Sequence, residues 1–145
     1  MLKMIVFQTT TYFNPYLNDL CFFEEKSGTT KKLVSALEPS QGQSGPKDLF
    51  CLSWAICLYR TTHKFLDLKG HKNPEIKVKV TLEMLKDERG FYFKPTAILA
   101  IKGMSLEETE TILKTVDYKC PISRLISNDP HVQVKVASYD ELITQ

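Results

Sequence analysis

The chain has 145 residues, 43% hydrophobic and 25% charged, which suits one globular domain over residues 1–145 with a single core and excludes two full domains. Its 19 basic and 17 acidic residues leave a net charge of +2 and are spread along the length, so no sign-segregated patch points to nucleic acid or to a membrane surface. No apolar run approaches the ~20 residues of a membrane span, and the apolar start at Met4 to Phe7 is too short for a secretory signal, so the expected compartment is the cytoplasm.

The first forty residues read as strand material. Ile5 to Phe7 and Thr9 to Phe13 are β-branched or aromatic, Asn14, Pro15, Asn18 and Asp19 are turn formers, and further strands are expected at Leu20 to Phe23 and Lys32 to Leu37 around a turn at Ser27 to Thr30. Pro39 to Pro46 is a polar loop rich in Gly, Gln and Ser, expected to be exposed and mobile.

Lys47 to Leu68 then contains no Gly or Pro and carries apolar residues on nearly every side, the pattern of a helix buried all round. Pro46 suits its first position, with Gly45 or Ser44 as cap. From Ile76 to Met84 apolar residues alternate strictly with Lys77, Lys79, Thr81 and Glu83, a half-buried strand. Lys86 to Gly90 is a charged turn and Phe91 to Ile101 the partner strand of an antiparallel hairpin. Ser105 with Glu108 forms a capping box for an amphipathic helix that stops near Tyr118, since Pro121 prevents its continuation. Val132 to Val136 is the last strand. Strands in runs, separated by two helices, indicate an α+β fold.

Four cysteines, Cys21, Cys51, Cys57 and Cys120, are irregularly spaced with no CxxC pair, unlike a secreted disulfide framework or a zinc ribbon. No two His or Cys have metal-ligand spacing, so neither a metal nor another cofactor is expected. His71 and His131 read as surface residues, and His63, six residues past Cys57, points away from it on a helix.

Two segments carry a family resemblance. Gly45-Pro46-Lys47-Asp48-Leu49-Phe50, followed by Ser53-Trp54-Ala55-Ile56-Cys57, and then Lys119-Cys120-Pro121-Ile122-Ser123 after a capped helix, resemble the paired signatures of the OsmC/Ohr family: an Asn-Pro-Glu-x-Leu motif opening the central helix, a cysteine mid-helix, and a Cys-Pro-x-Ser after the second helix. The resemblance spans nearly the whole chain in element order as well as motifs. It implies an OsmC-like fold of antiparallel sheets around a long buried central helix, an intertwined homodimer, and a cysteine peroxidase that reduces organic hydroperoxides at the expense of a dithiol, often lipoyl groups. Carried over by motif, Cys57 is the peroxidatic cysteine and Cys120 the resolving one.

Physical arguments bear on the same assignment. Cys51 lies six residues before Cys57, a rise of about 9 Å on a helix, beyond the roughly 7 Å limit on Cα separation for a disulfide. Cys120 follows a helix C-terminus, where the dipole disfavours a thiolate. Cys21 stands as the other candidate partner. Peroxide attack requires the thiolate and leaves a sulfenic acid that a second thiol condenses to a disulfide, so a mid-helix cysteine needs help to ionise.

In the family that help comes from an N-terminal arginine held by the motif's glutamate. Here no Arg or Lys occurs between residues 4 and 25, and Lys47 replaces the glutamate, with the acid displaced to Asp48. Two cations are candidates to substitute. Arg60, three residues after Cys57, is a neighbour on the same helix face and the first choice; Lys47, ten residues before it, is roughly 80° away on the helical wheel. Both are also residue types that more often sit solvated or salt-bridged at a surface. The missing pair supports an alternative function, an OsmC-like binding or thiol-sensing protein with little peroxidase turnover; a cysteine hydrolase is weaker, since no histidine is placed to serve Cys57 as base.

Overall fold

The computed structural model describes residues 9–13, 21–25, 30–33 and 45–142, and the chain divides into two compact units, Met1–Leu49 and Phe50–Gln145. In the first unit β1 (Thr9–Phe13), β2 (Cys21–Glu25) and β3 (Thr30–Leu33) form an antiparallel sheet in that order, with Thr11 opposite Phe23 and Phe22 opposite Lys32. The strand read at Thr9 to Phe13 is present with those bounds, that read at Leu20 to Phe23 begins one residue later and runs to Glu25, and that read from Lys32 begins two residues earlier, at Thr30. The expected strand at Ile5 to Phe7, the turn formers Asn14 to Asp19 and the loop over 39–44 lie outside the described residues.

α1 (Pro46–Leu68) begins in the last residues of the first unit and runs into the second. Its start is set by local chemistry. The Gly45 carbonyl accepts from the Leu49 N–H at 3.1 Å, Pro46 occupies the first helical position where its missing N–H is no loss, and Asp48 Oδ2 accepts from the Gly45 N–H at 3.1 Å. The displaced acid thus caps its own helix. At the other end Gly70, at φ +91°, allows the Gly70 N–H to reach Asp67 O and the His71 N–H to reach Leu66 O, both at 3.0 Å, a Schellman closure that a residue with a Cβ would strain.

β4 (Ile76–Asp87) and β5 (Gly90–Ile101) pair antiparallel along their whole length around a Glu88–Arg89 turn, in which Asp87 Oδ1 accepts the Arg89 N–H at 2.9 Å. Ile76, Val78, Val80 and Leu82 face inward as their alternation predicts, whereas Met84 and Leu85 near the tip are exposed. α2 (Leu106–Lys119) carries the Ser105 cap, whose Oγ accepts the Glu108 N–H at 3.0 Å. β6 (Gln133–Val136) joins β5 in parallel, from Thr96↔Gln133 to Leu99↔Val136. The sheet is therefore mixed, order β4-β5-β6, and not antiparallel throughout. The physical reason is the helical crossover between β5 and β6, which returns the chain to run in the same direction. Pro95, with no N–H for a ladder, falls one residue before the β6 pairing begins.

The core joins one stripe of α1, Trp54, Leu58 and Leu66 with the buried Thr62 between them, to Ala97, Leu99 and Ile101 of β5 and Leu113 and Val116 of α2. Thr62 is tolerated there because its hydroxyl donates to Leu58 O at 2.7 Å. α1 is not buried all round: Leu52, Ile56 and Tyr59 are 56%, 48% and 38% exposed. Residues of the β4-β5-β6 sheet and of α2 pack against the buried stripe of α1. Among the described residues no helix is long and apolar enough to cross a membrane.

Candidate active site

The middle of one helix and the junction of two others build the site. Cys57 lies in the middle of α1, between the core residues Trp54 and Leu58. Cys120 is both the C-cap of α2, donating its N–H to Val116 O at 2.8 Å, and the N-cap of α3 (Pro121–Ile126), accepting from the Arg124 N–H at 2.9 Å. The double role follows from Pro121. A residue before proline is pushed out of the α region, and Cys120 stands at φ −65°, ψ 121°; proline itself then suits the first position of a new helix. Sequence reasoning ended the helix at Pro121 but missed α3, whose signal was that same proline read as a start.

The fold brings the two sulfurs together. Cys120 Sγ donates to Cys57 Sγ at 3.2 Å across 63 residues. Cys120 is fully buried and Cys57 half-buried, so a dissolved oxidant meets Cys57 first. Burial pushes the Cys57 thiol above its ordinary range, and the neighbouring Cys120 sulfur acts in the same direction, since two sulfurs this close resist sharing negative charge. The backbone N–H of Ile122, hydrogen-bonded to the sulfur, pulls the other way, as does the Thr61 hydroxyl, which also donates to Cys57 O at 2.9 Å. Neither donor had been singled out in the sequence; Thr61, four residues after Cys57, was findable as a same-face neighbour.

A buried clamp holds the arrangement. Trp54 Nε1 donates to Ser123 Oγ at 2.9 Å, joining α1 to α3 across 69 residues. Among the described residues no buried side-chain nitrogen or oxygen lacks a partner.

Arg60 is exposed and lines a shallow cleft with Tyr59, His63 and Lys64, and among the described residues it does not figure with the groups that shift the Cys57 thiol. Lys47 is exposed in the first turn of α1. Cys51 is half-buried on α1, and Cys21 opens β2 in the other unit. His131 is engaged at the surface by Asp129 Oδ1 at 2.9 Å and by the Tyr92 ring. Among the described residues a cleft of about 730 Å³ is lined by Lys114, Asp117, Tyr118, Lys119, Arg124 and Ser127.

Comparison with known proteins places this chain in a family. The family model described as OsmC-like protein matches residues 40–135, which take in α1, the β4–β5 hairpin, α2, α3 and most of β6. A curated relative, organic hydroperoxide resistance protein-like 2 of Staphylococcus saprophyticus, is 25% identical over 97 residues, covering 66% of this chain and 68% of its own. Among solved structures, the organic hydroperoxide resistance protein OsmC of Legionella pneumophila superposes with a TM-score of 0.71 at 19% identity, over 93% of this chain and 98% of that one. The OsmC-like protein of Mycoplasma pneumoniae gives a TM-score of 0.71 at 16% identity, over 95% and 97%. The likeness to these structures is one of fold, and with the matched family model it means that the chain belongs to the OsmC/Ohr family of OsmC-like proteins.

Proposed function

We propose that this protein is a thiol peroxidase for organic, lipid-type hydroperoxides, with Cys57 as the attacking thiolate and Cys120 as the resolving thiol. The observation that carries the reading is the 3.2 Å contact between a half-buried and a fully buried cysteine. The Cys57 thiolate attacks the terminal oxygen of the hydroperoxide; the O–O bond breaks, the alcohol leaves with a proton, and Cys57 becomes a sulfenic acid. Cys120 then attacks the Cys57 sulfur, the S–S bond forms as the S–O bond breaks, and water departs. A dithiol, with lipoyl groups as the candidate class, returns both cysteines to thiols by exchange and is itself oxidised to a disulfide. Closure brings the sulfurs about 1.2 Å nearer, from 3.2 Å to the roughly 2.0 Å of a disulfide.

Within the single chain the Ile122 N–H and the Thr61 hydroxyl offset the burial of Cys57 only in part, because the thiol remains raised. The additional cation is assigned to Arg60 first, by a change of its side-chain rotamer, and to Lys47 second, contributed by a second copy. The reading includes a homodimer, supported by the open apolar face of α1 at Leu52, Ile56 and Tyr59, a single-domain chain and a cytoplasmic location.

The raised thiol also favours a second reading, a thiol-sensing protein with little turnover. A coupled assay with cumene hydroperoxide and dihydrolipoamide separates the two. Sustained turnover that disappears in Cys57→Ser is expected; sulfenic acid at Cys57 without turnover selects the sensor.

A further inference from the structure

Trp54 and Ser123 are 0% and 2% exposed, and each stands three residues from one cysteine of the pair, Trp54 before Cys57 and Ser123 after Cys120. Three residues on a helix are neighbours on one face. The indole of Trp54 therefore flanks Cys57 on α1 and grips α3 one turn beyond Cys120. α3 has only six residues and no side-chain cap at its start, and a helix so short has little stability of its own. It is held beside Cys57 by the packing of Ile122 and Ile126 against the core, by the Ile122 N–H on the Cys57 sulfur and by the buried Trp54–Ser123 hydrogen bond. Ile122, whose N–H meets the Cys57 sulfur, is the residue immediately before Ser123.

We propose that Trp54 and Ser123 are positioning residues for disulfide closure: their hydrogen bond holds the start of α3 against α1 at the separation from which Cys120 attacks the oxidised Cys57. The proposal rests on the peroxidase reading above. Both residues act on the sulfurs through the helices that carry them. Losing the Ser123 hydroxyl leaves the indole N–H buried without its partner, losing the indole leaves the Ser123 hydroxyl so, and α3 relieves either by moving away from α1. Since Cys120 is the N-cap of α3, its sulfur moves with it. Displacements of about 1 Å in a reacting pair can cost as much as ~100-fold in rate, so the closing step is sensitive to this bond.

The test uses the full chain as wild type, Trp54→Phe, Ser123→Ala and Ser123→Thr, with circular dichroism to verify folding. Each is equilibrated in mixtures of reduced and oxidised glutathione, and the Cys57–Cys120 bridge is quantified by mass spectrometry of alkylated protein. Trp54→Phe and Ser123→Ala are expected to lower the equilibrium constant for bridging by about tenfold, and after one equivalent of cumene hydroperoxide to divert Cys57 from the bridge to sulfinic acid. Ser123→Thr, which keeps the hydroxyl, restores bridging. Folded Trp54→Phe and Ser123→Ala proteins that bridge like wild type overturn the positioning role and leave the peroxidase reading intact. A wild type that forms no Cys57–Cys120 bridge sinks that reading, and this proposal with it. A measurement on the wild type alone guards against variants that fail to fold: the Trp54 indole N–H should be protected from hydrogen exchange in both the reduced and the bridged protein, and rapid exchange in the reduced protein overturns the clamp.

Discussion

The thiol of Cys120 lies 3.2 Å from the sulfur of Cys57, although 63 residues separate them in the chain and only Cys57 is open to solvent. From this pairing, treatment with one equivalent of organic hydroperoxide is expected to yield a single intramolecular bridge. Peptide mapping should link Cys57 to Cys120, and Cys120→Ser should accumulate sulfinic acid at Cys57. A bridge from either residue to Cys21, or a Cys120→Ser protein that resists over-oxidation, would reassign the resolving thiol.

The raised Cys57 thiol makes its reactivity pH-dependent. Alkylation should accelerate as pH rises through a midpoint above that of a free thiol, because only the thiolate reacts. Thr61→Val removes a group that lowers the thiol and moves the midpoint further up, whereas Cys120→Ser removes the neighbouring sulfur and moves it down. If Arg60 or Lys47 supplies the cation, Arg60→Met or Lys47→Met raises the midpoint by roughly one unit or more; unchanged midpoints in both discard the cation. The same shift has a stability consequence. A folded-state thiol raised above its unfolded value contributes stability below the unfolded midpoint, and that contribution is lost as pH rises through the folded one.

Leu52 and Ile56 are four residues apart on α1, with Tyr59 close by, and all three are exposed. An apolar stripe of this kind on a central helix fits association with a second copy. Sedimentation equilibrium at micromolar concentration should give twice the chain mass, and Ile56→Asp should give the single mass with its helical circular dichroism retained. A monomeric wild type would remove the dimer from the proposal.

Leu58 is fully buried beside Cys57, while Ser105 is exposed at the start of α2. Leu58→Ala should lower the unfolding free energy by about 2–5 kcal/mol through lost transfer energy and the cavity left behind. Ser105→Ala should cost only about 1 kcal/mol, the loss of one cap. Denaturant titrations compare the two directly, and equal costs would contradict the core placed around Leu58.

Much of the architecture was written in local pattern. The alternation from Ile76 to Leu82 makes a half-buried strand wherever it sits, Ser105 and Glu108 begin a helix through their own hydrogen bond, and Pro46 starts α1 because its missing N–H costs nothing there. The α+β class and the family resemblance followed from such signals and from the motifs around Cys57 and Cys120. The rest depended on partners far away in sequence. The parallel seat of β6, the face of α1 that is covered, the Trp54–Ser123 bond and the 3.2 Å between the two sulfurs join segments tens of residues apart. No periodicity encodes such pairings, because they arise when helices and sheet close around one core and each buried polar group must find the partner that packing brings to it.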